Sequence, residues 1–144
     1  MRLVVRRVLL AVLFLTALFL GVWTYALPRN WYDTFPGFGL KWIVPTGPYS
    51  EHFVKDIGSM YLALAVLTAA ALWFAANDAT VRITAAVWTT FNLAHLVYHL
   101  TMLQVYDDRD KLLVAGSLVI LLLVSAALLI PLSQVGPRGR SSPG

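Results

Sequence analysis

Four stretches of the chain carry almost no charge and are set apart by clusters of charged and turn-forming residues. They run over 8–26, 57–76, 83–103 and 112–131. A helix needs about 20 apolar residues to cross the hydrocarbon core of a bilayer. A helix also satisfies its own backbone groups, which lipid cannot do for it. The pattern predicts an all-α fold, an integral membrane four-helix bundle forming a single domain over 1–135. After Pro131 the chain turns to Gly, Pro, Ser and Arg, and 136–144 reads as a disordered cytoplasmic tail. No internal repeat is visible.

Direction follows from Lys and Arg, which gather on the cytoplasmic side of a membrane. Arg2, Arg6 and Arg7 precede the first span and no basic residue follows it closely. An inside N-terminus also places Arg82, Arg138 and Arg140 inside. Of the acids, Asp33, Glu51, Asp56, Asp107, Asp108 and Asp110 then lie outside, and only Asp78 inside. Both termini are therefore expected in the cytoplasm, with the chain a multi-pass protein of the cytoplasmic membrane. Met1 to Ala26 also has the outline of a signal peptide, with Thr24-Tyr25-Ala26 as a cleavage site. Its apolar run exceeds the usual h-region of about 7–15 residues, and Trp23 and Tyr25 crowd the cut. We read it as a retained span.

The connections differ in kind. Asn77 to Arg82 reads as a tight inner turn, which makes the second and third spans antiparallel neighbours. Gln104 to Lys111 reads as a short, solvated acidic outer loop. Between the first two spans lies a long outer loop, 27–55, with seven aromatics and four prolines. Its Pro and Gly forbid one continuous helix. Its aromatics predict a segment that lies along the headgroups or caps the bundle. Small residues recur on the second span (Gly58, Ser59, Ala63, Ala65) and on the third (Thr84, Ala85, Ala86). Such residues let helix backbones approach in lipid. The fourth span is mostly Leu, Val and Ile and is expected to face lipid broadly.

Composition agrees with a lipid solvent. Apolar residues make up 59% and charged residues 12%, against about a quarter charged in soluble domains. The net charge of +4 comes largely from arginines at the two ends, with no basic face interleaved with aromatics. Nucleic-acid binding is not expected. The chain has no cysteine, which excludes disulfides, thiolate metal sites and thiol catalysis.

Ionisable side chains within spans are costly and call for partners. On the third span Asn92, His95 and His99 share a face by their offsets of three and four. His95 and His99 form the H-x-x-x-H spacing with which one helix offers two imidazoles to one ion. At the start of the second span stand Glu51, His52 and Asp56. The topology directs both sets to the outer side. His95, His99, Asp56 and His52 are thus candidate ligands for a transition metal such as Zn, Cu or Fe, with Glu51 and Asn92 in support. Depth limits this. Asp56 lies level with Leu103, which puts His99 about 6 Å and His95 about 12 Å deeper. Asp56 is expected to meet His99 rather than His95, with Glu51, His52, Asp107 and Asp108 as an outer vestibule. The alternatives are neutral histidines bonded to Asn92 or Thr89, and a titrating, proton-linked site. Two histidines one turn apart cannot grip opposite faces of a haem.

The run Gly47-Pro48-Tyr49-Ser50-Glu51-His52-Phe53-Val54-Lys55-Asp56-Ile57-Gly58, and Ala94-His95-Leu96-Val97-Tyr98-His99-Leu100 in the third span, carry a resemblance. Over Trp31 to Leu103 the chain resembles small four-helix membrane proteins of actinobacteria, and in size and layout it is similar to the DoxX-like proteins. The resemblance implies the four-helix membrane fold and directs attention to Glu51, His52, Asp56, His95 and His99. It implies no activity. No nucleophile motif or phosphate-cradling loop is present, so a binding or accessory role is expected ahead of catalysis. Its partners would be the bilayer, other membrane proteins or further copies of the chain. The alternatives are a metal-dependent membrane oxidoreductase using His95 and His99, and a small proton-linked transporter subunit.

Overall fold

The structure is a computed structural model that describes residues 1–132; the tail expected over 136–144 lies outside the described residues. Four long helices dominate: α1 (Leu3–Ala26), α3 (Glu51–Trp73), α4 (Asp78–Thr101) and α5 (Asp108–Ala127). A short helix, α2 (Pro28–Thr34), and a two-stranded hairpin, β1 (Pro36–Gly37) and β2 (Leu40–Lys41), fill part of the segment between α1 and α3. Among the described residues, three helices are long and apolar enough to cross a membrane: α1, α3 and α5. The fourth expected span, α4, is as long at 24 residues. It carries five Thr with Asn92, His95 and His99, which lower its hydropathy below theirs.

The helix starts have local causes. Asn77 caps α4, its side-chain carbonyl accepting from the Thr80 N–H at 3.0 Å. The expected 77–82 turn is therefore shorter than read, because Asp78 to Arg82 are already helical. Asp107 caps α5 in the same way through the Asp110 N–H at 2.8 Å. Asp108 and Asp110 lie in the first turn, where negative charge meets the positive end of the helix dipole. The acidic run read as a solvated loop is the start of a helix.

Packing joins the helices as two pairs, α1 with α3 and α4 with α5, with lighter contact between α3 and α4. The small residues of α3 thus find their main partner in α1, while α4 lies beside α3 with lighter contact. The reason is a matching small face on α1 (Ala17, Gly21 and Thr24, all buried). A Cβ on Gly21 would come within 2.9 Å of the Leu62 backbone nitrogen. One on Gly58 would come within 2.8 Å of the Tyr25 backbone nitrogen. Two glycines facing opposite ways across the same seam hold the backbones at close approach, the packing mode of helices in lipid.

The bundle is solid at one end and hollow at the other. At the end holding the N-terminus and the α3–α4 turn, Leu10, Leu13, Val81, Ala85, Trp88 and Leu128 have no exposed surface. Trp88 donates its indole N–H to Thr68 at 2.8 Å, and Asn92 donates to Ser125 and to the Leu121 carbonyl, each at 3.2 Å. Arg6 is fully buried here. It ion-pairs with Asp78 and donates to the carbonyls of Ala75 and Ile130. One guanidinium thus ties the start of α1 to the α3–α4 turn and to the end of α5. The Asp78 carboxyl, which also accepts from the Leu132 N–H, is held below the usual carboxylate range, chiefly by Arg6.

Candidate functional site

The hollow end is partly covered by the segment between α1 and α3. Pro28 stands in the first turn of α2, where its missing N–H costs nothing. The hairpin turns at Phe38 and Gly39, both at positive φ, as tight hairpins require. Trp31 and Tyr32 of α2 bury themselves against Val54 of α3. Tyr32 donates its hydroxyl to the Gly47 carbonyl at 2.6 Å. From the α4–α5 connection, Tyr106 donates to the Trp42 carbonyl at 2.8 Å. The expected aromatic cap is therefore an ordered lid fastened to both helix pairs.

Beneath this lid lies a cavity of about 900 Å³ walled by all four long helices. Trp31, Phe35 and Trp42 line it from the lid, Phe19 from α1, and Ile57 and Tyr61 from α3. Phe91, His95 and His99 of α4 continue the wall beside Tyr61, and Ser117, Leu118 and Leu121 line the cavity from α5. Such a size lies within the range of sites for drug-sized ligands, roughly 300–1,000 Å³. The solid core forms its floor.

The sequence-predicted site residues divide between this cavity and the exposed surface. His95 and His99 both line it, their rings edge to face with centroids 4.5 Å apart. Phe91 stacks on His95 at 5.4 Å with 17° between the planes. The His99 Nδ1 atom is buried without a partner, and His95 makes no hydrogen bond among the described residues. His52 and Asp56 form a separate pair, Nε2 to Oδ2 3.4 Å, with side chains 80% and 62% exposed. Glu51 accepts from Lys55 at 2.8 Å on the same outward face. Asp56 is thus turned toward His52, and the expected meeting with His99 does not occur. Asn92 supports neither histidine, because α5 takes both its amide donors. Among the described residues no three of His, Asp and Glu stand together as a metal-holding group.

Tyr61, Phe91, Trp31 and Trp42 were not read as site residues. Aromatic residues in a membrane helix or interfacial loop look alike whether they face lipid or a cavity, so their role had no sequence signal. Arg6 had one. The buried positions of α1 are 6, 10, 13, 17, 21 and 24, and Arg6 continues that spacing of three and four back from Leu10. Its place on the inward stripe could be read from periodicity, which the count of flanking charges passed over.

Comparison with protein-family models, with curated proteins and with solved structures gives no match for this chain.

Proposed function

We propose that the chain is a multi-pass protein of the cytoplasmic membrane that binds a small ligand in the lidded cavity and acts as an accessory or carrier to other membrane components. The single observation that carries this reading is the cavity itself. It is a drug-sized, mostly apolar space with a few polar groups, under a lid that hydrogen bonds hold in place. In this reading α4 is a fourth span despite its polarity. Its Thr84, Asn92 and His99 are buried, while Ile83, Leu93 and Val97 are exposed. That inside-out arrangement suits a helix with lipid on its outer side. With both termini inside, the lid lies at the outer face. Catalysis has less support, since His95 and His99 find no carboxylate partner. Transport has less support too, because the core under the cavity is closed by Trp88 and Asn92.

Native mass spectrometry of the protein released gently from its membrane tests the reading. A bound small molecule is expected on the wild type, and less of it on Leu118→Trp, whose indole would fill part of the cavity. Both proteins bare, or equally loaded with unchanged melting temperature, would overturn it. The same spectra weigh a metal ion. Stoichiometric zinc, copper or iron, lost in His95→Ala and His99→Ala, would return the two imidazoles to the role of metal ligands.

A further inference from the structure

Resting on the reading of the cavity as a binding site, we propose that its ligand is an uncharged, ring-bearing lipophile carrying a hydroxyl or carbonyl oxygen. The charge of the ligand follows from the lining. No Asp, Glu, Lys or Arg is among the residues that wall the cavity. The charged groups near this end of α3 pair with one another on its exposed face, Glu51 with Lys55 and Asp56 with His52. A formal charge brought into the cavity would give up its water and meet no fixed counter-charge, which is costly. An uncharged molecule avoids that penalty.

The ring follows from the character of the walls. The lid contributes Trp31, Phe35 and Trp42, already tilted or edge-on to one another at 5.4 and 6.0 Å between centroids. Across the cavity Tyr61, Phe91 and His95 form a continuous aromatic wall. Rings gain from such offset and edge-to-face neighbours beyond their area of burial, whereas a flexible alkyl chain gains burial alone and loses rotamer freedom.

The oxygen follows from two polar groups left open. Tyr61 is only 8% exposed and lines the cavity, yet its hydroxyl has no hydrogen-bond partner among the described residues. Neither is that hydroxyl among the polar atoms sealed from solvent, so it keeps some accessible surface on a residue that lines the cavity. His95 is in the same position, lining the cavity without a hydrogen bond. The two flank Phe91, at 5.6 Å from the Tyr61 ring and 5.4 Å from the His95 ring. A hydroxyl or carbonyl on a ring lying against Phe91 meets a phenol on one side and an imidazole on the other.

Three probes with one ring and one chain length separate the possibilities: pyrenebutanol, pyrenebutyric acid and pyrenebutylamine. Each is titrated into the full-length protein in nanodiscs, with energy transfer from tryptophan to pyrene as the readout. Trp31 and Trp42 line the cavity and report occupancy directly. The alcohol is expected to bind saturably, with the acid and the amine at least about tenfold weaker. Tyr61→Phe and His95→Phe are each expected to weaken the alcohol by about fivefold, the worth of one hydrogen bond. Both should leave unsubstituted pyrene unchanged. Should one variant fail to fold, the other carries the test alone. Acid or amine binding as tight as the alcohol, or alcohol binding indifferent to the folded variants, overturns the proposal while leaving the cavity a binding site. Absence of saturable binding by all probes, pyrene included, overturns the binding reading and the proposal with it.

Discussion

At the residue scale, the polar groups inside the bundle divide into those bonded to one another and those that make no hydrogen bond among the described residues. Trp88 and Thr68 belong to the first kind. Both are fully buried, the indole donates to the hydroxyl, and the hydroxyl in turn donates to the Leu64 carbonyl at 2.6 Å. Thr68→Val keeps the shape and strands the indole N–H. We expect it to destabilise the protein by about 1–2 kcal/mol. The Thr68→Val, Trp88→Phe double variant is expected to lose less than the two single variants together, since it leaves no orphan donor. Denaturation of the four proteins in one detergent gives the coupling, and strict additivity would show that the bond does not contribute. Tyr61 and His95 are the second kind, and their substitution should change binding more than melting.

At the element scale, the seam between α1 and α3 depends on two glycines. Gly21→Ala and Gly58→Ala would each force a methyl group against backbone across the seam. Helices cannot yield there without separating, so each substitution is expected to cost about 1–3 kcal/mol. Gly116 in α5 has open space around its Cβ position. Gly116→Ala is expected to be neutral or to stabilise by up to about 1 kcal/mol through helix propensity. Melting temperatures of the three variants decide it, and equal effects at all three positions would mean that the close approach is not what joins α1 to α3. The small residues of both spans were legible in the sequence. Their pairing was not, because Ala, Gly and Thr look alike on any membrane helix until the facing surface is known.

For the whole molecule, the two ends do different work: one is tied shut by Arg6 and the other is hollow and lidded. The orientation of those ends can be tested cleanly, because the chain has no cysteine of its own. Asp108→Cys and Ala79→Cys place single thiols at exposed sites at opposite ends of the bundle. A membrane-impermeant maleimide applied to intact cells is expected to label position 108. Position 79 should react only after permeabilisation. Labelling of 79 alone would reverse the topology, and labelling of both would mean that α4 does not cross the membrane. Labelling of 108 alone in intact cells would place the lid at the outer face, with its aromatic residues at the headgroup level, where such rings prefer to lie.

Helical character, the apolar stretches and the aromatic nature of the α1–α3 segment were determined by the sequence alone, since each depends on local composition and on a period of 3.6 residues. So was the pairing of His95 with His99, which share one helix face one turn apart. What joins residues distant in the chain was decided by tertiary structure. It set α1 against α3 through facing glycines and kept Asp56 apart from His99. It drew Asn92 to α5 and converted Arg6 from a flanking charge into a buried tie. The cavity belongs to this second class. Its shape is the space left when four helices and a lid close around their other contacts, and no stretch of sequence carries a pattern for a space.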